Sequence, residues 1–207
     1  PNRDDIEKVE ELGVRFELIP LDKTGLNIVA DLRYLLAVYR FFRREKPHVT
    51  LGYTIKPVIY GAIAARLARV KNVYSMVTGA GYLFTAKTAK ARVVRVVASM
   101  LYKISFRCAD AVIFQNNDDL HDFAENRLVE REKCRVVNGS GVNMDEFRHT
   151  CYPGKLTFFM LSRVIYSKGI REYLQAARKV KAEYPELRFM LLGAVENMPD
   201  SLSMDEL

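Results

Sequence analysis

Apolar runs of strand length alternate with amphipathic helical stretches along almost the whole chain, and this alternation constrains the fold more than any other feature. After an opening helical pattern, RDDIEKVEEL, closed by Gly13, the strand candidates are VRFELI, HVTLGYT, VYSMVTG, DAVIFQN and CRVVN. Helical patterns separate them. These are NIVADLRYLLAVYRFFRREK, ended by Pro47, then KPVIYGAIAARLARV, KARVVRVVASMLYKISFRC and NDDLHDFAENRL. Pro57 suits a first helical turn, where its missing N–H has no partner to lose, and Asn117 or Asp118 is expected to cap the last helix. Strand–helix–strand repetition makes βαβ units, with parallel neighbours joined by helical crossovers. The expected fold is α/β with a doubly wound, mainly parallel sheet.

The pattern breaks at RHTCYPGK, residues 148–155, into turn-forming and polar residues, and LTFFMLS then starts a new strand. One domain is therefore expected over 1–149 and the start of a second over 150–207. The second holds a single βαβ unit. A parallel sheet needs cover on both faces, so that unit is expected to be incomplete.

With 49% apolar and 28% charged residues, the 207-residue chain is globular rather than disordered, and no run of 18 apolar residues reads as a spanning helix. Cys108, Cys134 and Cys151 form an odd count without metal-type spacing, which points to reduced thiols in a cytoplasmic protein. His48, His121 and His149 stand apart, so no metal is expected. The formal charge of +7 suits an acidic partner, namely nucleic acid, anionic lipid or a phosphorylated substrate, but it also suits simple solubility.

The segment LSRVIYSKGIREYLQAARKV brings in chemistry. In open α/β sheets, ligands bind beyond the carboxyl ends of the strands. Arg163 is expected at that end of LTFFMLSR, and Lys168 in the loop before a helix that begins near Gly169. Free amides and the helix dipole favour an anion there, and Gly169 leaves room for close approach. An arginine fork beside a lysine point charge suits a diphosphate. The same two residues would serve equally as solvated loop charges.

VVNGSGVNMDEF, FFMLSRVIYSKGIREYLQAARKV and LRFMLLG together resemble the middle of a family 4 glycosyltransferase of the GT-B fold. PHVTLGYTIKPVIYGAIAARLARVKNVYSMVTGAGYLF and DAVIFQNNDDLHDF extend the likeness to bacterial members that build capsular and related surface polysaccharides. The resemblance implies a Rossmann-type acceptor domain followed by the first βαβ unit of a donor domain. It implies retaining transfer of a sugar from a nucleotide-sugar, expected to be a uridine diphosphate sugar, onto a lipid-linked or glycan acceptor. It further implies that Arg163 and Lys168 hold the donor diphosphate, with no cofactor and no essential metal. The loop Asn138, Gly139, Ser140 and Gly141 matches the family's asparagine–glycine segment beside the cleft, and Gly193 matches a glycine near the nucleotide. Asn143 departs from the family's usual aspartate, and tight turns alone would also explain the glycines. The family's two glutamates, eight positions apart, are expected beyond Leu207, and its first two strands before Pro1. The chain is thus expected to be an inactive fragment of a protein about twice its length.

VTGAGYLF is a Gly-x-Gly after a strand, but the dinucleotide fingerprint would need a third glycine where Phe84 stands. The resemblance instead makes Thr78, Gly79, Gly81 and Tyr82 acceptor-side candidates. In the following helix Arg92, Arg95, Lys103 and Arg107 are expected on one face, opposite Val93, Val97, Met100, Leu101 and Ile104. Such a helix suits an anionic membrane surface, here the inner face of the cell membrane, or packs as an ordinary outer helix. Two other readings of the chain are a GT-B-fold sugar-nucleotide epimerase and a basic nucleic-acid-binding module. The second is disfavoured, because the basic residues lack an interleaved stacking platform.

Overall fold

The computed structural model describes residues 3–22, 27–79, 89–152, 154–195 and 202, and divides into two compact units, Pro1–Val142 and Asn143–Leu207. The first unit opens with α1 (Arg3–Glu11) and α2 (Ile28–Glu45). Gly13, at φ +75°, donates its N–H to the Glu10 carbonyl, and Val14 reaches the Val9 carbonyl. This is the left-handed stop that glycine makes at little steric cost. Asn27 caps α2, its Oδ1 accepting from the Ala30 N–H at 3.1 Å.

Four parallel strands follow, β1 (Val49–Tyr53), β2 (Asn72–Val77), β3 (Ala111–Phe114) and β4 (Cys134–Val136), in the spatial order β1-β2-β3-β4. Tyr74 pairs with Leu51 and Ala111, and Phe114 pairs with Val136, so consecutive strands are neighbours throughout. The crossovers are α3 (Ala62–Leu67), α4 (Ala89–Cys108) and α5 (Asn117–Glu125). A π-helical turn, Pro57–Gly61, leads into α3. The cap of α5 is Asn116, one residue before the expected Asn117 or Asp118, and its Oδ1 accepts from the Asp119 N–H at 2.7 Å.

The expected strand VRFELI does not form a ladder. Residues 14–22 run without regular structure, while Ile19 and Leu21 pack against Tyr34, Val38 and Ala64. Strand propensity becomes a strand only when a neighbour accepts and donates the backbone hydrogen bonds, and no described strand does so here.

The core of this unit is aromatic. Tyr102 and Phe106 from α4 meet Phe114 of β3 and Phe123 of α5, with Tyr102 edge-on to Phe123 at 5.2 Å between ring centroids. Where β1 gives way to its crossover, Gly52 admits the Pro57 carbonyl, which would lie 2.8 Å from any added Cβ. Beside it Asp31 is buried and paired. Its Oδ1 accepts from the Lys56 ammonium at 2.7 Å and its Oδ2 from the Tyr60 hydroxyl at 3.0 Å. Burial first, then the hydrogen bond to Asp31, pushes the Tyr60 phenol up to about 12. The Lys56 and Asp31 side chains are 12% and 5% exposed, so removing one leaves the other charge stranded. Asp31→Ala should cost about 3 kcal/mol in urea unfolding, and pairing it with Lys56→Met should restore part of that loss.

In the second unit β5 (Thr157–Leu161) pairs in parallel with β6 (Arg188–Leu192), and α6 (Ile170–Glu183) makes the crossover. Val164, Ile170 and Leu202 form its small core. Tyr173 of α6 donates its hydroxyl to both Phe158 and Met190 carbonyls at 3.0 and 2.9 Å, tying the helix across the two strands. Phe159, Leu161, Met190 and Leu192 remain exposed.

Candidate functional site

The second unit holds the strand–loop–helix that the sequence marks as an anion site. Beyond Leu161 the β5–β6 pairing continues through Ser162 N–H to the Leu192 carbonyl and Val164 N–H to the Ala194 carbonyl, at 3.0 and 3.1 Å. Arg163 lies between these two bonds and is exposed, just past the carboxyl end of β5. A 3-10 turn, Tyr166–Lys168, then brings exposed Lys168 to the residue before Gly169, which caps α6 at φ +79°. A side chain on Gly169 would meet little beyond Glu172, so this glycine serves the backbone conformation and leaves the helix start open.

Gly169 has no side chain to cap α6, and the helix dipole there favours an anion at a start that Lys168 directly precedes. Glu172 lies at the third helical position, its carboxylate 3.7 Å from where a Gly169 Cβ would stand. One negative charge already uses this helix start. Gly193 meets a packing requirement. A Cβ there would overlap the Ser162 carbonyl oxygen, so the residue lets the backbones after β5 and β6 come together. Gly193→Ala should destabilise the second unit by about 2–4 kcal/mol in urea unfolding, against about 1 kcal/mol for Gly169→Ala, which meets only a left-handed backbone.

The carboxyl ends of β1 to β4 form the corresponding face of the first unit. Ser140, in the loop after β4, accepts from Gln115 Nε2 at 2.9 Å and lies 3.4 Å from the Tyr53 hydroxyl. Sequence reading picked out Ser140 and missed Tyr53 and Gln115. Their signal was positional, since each closes a strand pattern at the ligand-facing end. Thr54 beside them holds φ +70°, a strained value for a β-branched residue, and its carbonyl accepts from the Val58 N–H at 2.9 Å. Gly139 and Gly141 take φ +73° and +71°, turning the loop, and Asn138 is exposed. Thr78 and Gly79 follow β2 directly, with Gly79 at φ +149° in open space. Gly81 and Tyr82 lie outside the described residues. Among the described residues, no group of three or more His, Cys, Asp or Glu side chains could hold a metal ion.

Helix α4 differs from the expected arrangement. The buried face of α4 is Ala98, Tyr102, Ser105 and Phe106, none of them from the expected apolar set. Only Leu101 of that set packs against the core, while Val93 and Met100 are 64% and 63% exposed, with Val97 and Ile104 beside them. Arg92, Lys103 and Arg107 share this outer side, and Arg95 is half-buried with a partner of its own. Tyr102 and Phe106 fill the core, and apolar and basic residues lie side by side in solvent. No helix among the described residues is long and apolar enough to cross a membrane.

Comparison with known proteins agrees with this architecture. Residues 1–139 match the family described as glycosyl transferase 4-like domain. A Campylobacter jejuni protein named N,N'-diacetylbacillosaminyl-diphospho-undecaprenol alpha-1,3-N-acetylgalactosaminyltransferase is 23% identical, over 99% of this chain and 57% of its own length. An Escherichia coli protein named UDP-Gal:alpha-D-GlcNAc-diphosphoundecaprenol alpha-1,3-galactosyltransferase is 25% identical, over 91% of this chain and 51% of its own length. The chain thus spans about half the length of the curated relatives it matches. Among solved structures, a glycosyltransferase from Rickettsia africae aligns with TM-score 0.60 at 14% identity, over 94% of this chain and 51% of its own. The UDP-GlcNAc 2-epimerase of Neisseria meningitidis aligns with TM-score 0.55 at 11% identity, over 95% and 56%. These likenesses establish a GT-B, Rossmann-like fold.

Proposed function

The chain belongs to the glycosyl transferase 4-like domain family, and from that premise we propose that it is part of a retaining glycosyltransferase of surface-polysaccharide biosynthesis. The whole protein moves a sugar from a uridine diphosphate sugar to a lipid-linked acceptor. The observation that carries this reading is that Arg163 follows the carboxyl end of β5 and Lys168 directly precedes the start of α6. The names of the two sequence relatives, both transferases acting on sugars linked to undecaprenyl diphosphate, support the acceptor class and favour transfer over epimerisation.

As the bond from the sugar C1 to the diphosphate oxygen breaks, negative charge grows on the leaving diphosphate while the acceptor oxygen bonds to C1 and gives its hydroxyl proton to the departing diphosphate. Arg163, Lys168 and the first amides of α6 stabilise that charge more strongly in the transition state than in the bound donor. The exposed ends of β1, β3 and β4, with Tyr53, Gln115 and the Asn138–Gly141 loop, take the acceptor sugar together with Thr78 and Gly79. The exposed stripe of α4 rests on the anionic inner face of the cell membrane, which keeps the enzyme close to a lipid-linked substrate.

Calorimetric titration of uridine diphosphate tests the donor site. Arg163→Ala and Lys168→Ala should each weaken binding at least tenfold, the loss of one charge-assisted contact of about 1.5–3 kcal/mol. Glu172→Gln should tighten it by removing a competing charge from the helix start. Unchanged affinity in both alanine variants would contradict the assignment. On the membrane side, Met100→Gln with Ile104→Gln should reduce flotation with phosphatidylglycerol-containing vesicles. No loss in that variant would remove α4 as the contact.

A further inference from the structure

We infer that the carboxyl-terminal half of α4 bears a pocket for the phosphate of an anionic phospholipid headgroup, an inference that rests on the membrane reading of α4 above. A cavity of about 210 Å³ opens between α4, the turn after α5 and the segment entering β4. Lys103, Phe106, Arg107, Arg127, Glu130 and Lys133 are among its lining residues, so four cations face one carboxylate. The Lys133 ammonium is held at 3.1 Å from the Ala109 carbonyl and 3.4 Å from the Phe106 carbonyl, and so answers the negative end of α4. No described carboxylate pairs with Lys103, Arg107 or Arg127. Three cations without counter-charges around one concavity suit a bound anion better than they suit one another.

Two features give the pocket a lipid occupant. First, Lys103 lies three residues after Met100 and Arg107 three after Ile104 on α4, so pocket and exposed apolar stripe meet the same surface. Second, the cavity lies at the amino-terminal ends of β3 and β4, since its lining includes Val129 and Lys133 just before β4. Ligands for transfer gather at the opposite ends of these strands. The occupant is therefore an anchor and not a substrate. A headgroup seated here, with the stripe in the bilayer surface, fixes how the ligand-facing edge of the sheet is turned toward the membrane.

Arg127 also supplies the means of testing this. It holds φ +55° just past α5, donating its N–H to the Ala124 carbonyl at 2.9 Å. Glycine is the residue that fits such a backbone best, so Arg127→Gly removes a pocket cation while keeping or raising the thermal midpoint. Binding is measured by flotation with phosphatidylcholine vesicles, with and without phosphatidylglycerol. Arg92→Gln, at the far end of the same helix, should cost about fivefold in affinity for the anionic vesicles, the effect of one surface charge. Arg127→Gly and Lys103→Gln with Arg107→Gln should each cost clearly more, at least tenfold. Equal losses for Arg127→Gly and Arg92→Gln would overturn the pocket and leave the membrane reading standing. Full binding by the Met100→Gln, Ile104→Gln variant would overturn the membrane reading, and the pocket with it. Release from vesicles by millimolar inorganic phosphate at constant ionic strength would show a site for a soluble anion and overturn the lipid assignment.

Discussion

Parallel pairing is the constraint from which the rest of this structure follows. Each of β1 to β4 runs in the same direction, so every return must cross the sheet, and each crossover here is a helix. All the loops that leave a strand for its helix therefore collect at one edge, and all the loops that re-enter collect at the other. Tyr53, Thr78, Gln115 and Ser140 share an edge for this reason alone, although nearly ninety positions separate the first from the last. The same rule puts Arg163 and Lys168 on the β5–α6 loop of the second unit. A cluster of chemistry-bearing residues at these edges is thus a product of topology before it is a product of any one side chain.

Local devices then hold the edges in shape. Gly52 lets the helix start press onto β1, Thr54 accepts a left-handed backbone, and the Asp31–Lys56–Tyr60 cluster fixes the start of the crossover to α2. In the second unit Gly193 performs a comparable task by clearing space for the Ser162 carbonyl. These positions put close packing and backbone strain immediately beside the loops proposed to hold ligands, where a shift of a strand end would misplace a binding group.

Periodicity read the helices and most strands well, because each is decided by a pattern within a few residues of itself. VRFELI shows where that reasoning stops. Its residues have strand propensity, but a ladder needs a second strand, and propensity does not supply one. The capping of α5 by Asn116 rather than its neighbours was a matter of one residue among several good cappers, which only backbone geometry decides. Helix α4 was misread for a different reason. Its valines and methionine look like core residues in a hydropathy pattern, yet Tyr102, Phe106 and the small Ala98 and Ser105 form the buried face. At the candidate site, Arg163 and Lys168 stood out because their spacing across a strand–loop–helix is local. Tyr53 and Gln115 did not, because their meeting with Ser140 exists only after the sheet assembles.

If the β5–α6 loop is the diphosphate site, amide-resolved NMR of the chain during titration with uridine diphosphate will show it. The largest shift changes are then expected at Ser162–Lys168, Gly169 and the first amides of α6, with Gly193 following through its close approach to Ser162. Changes centred instead on the ends of β1, β3 and β4, or on α4, with the β5–α6 loop unmoved, would contradict that assignment.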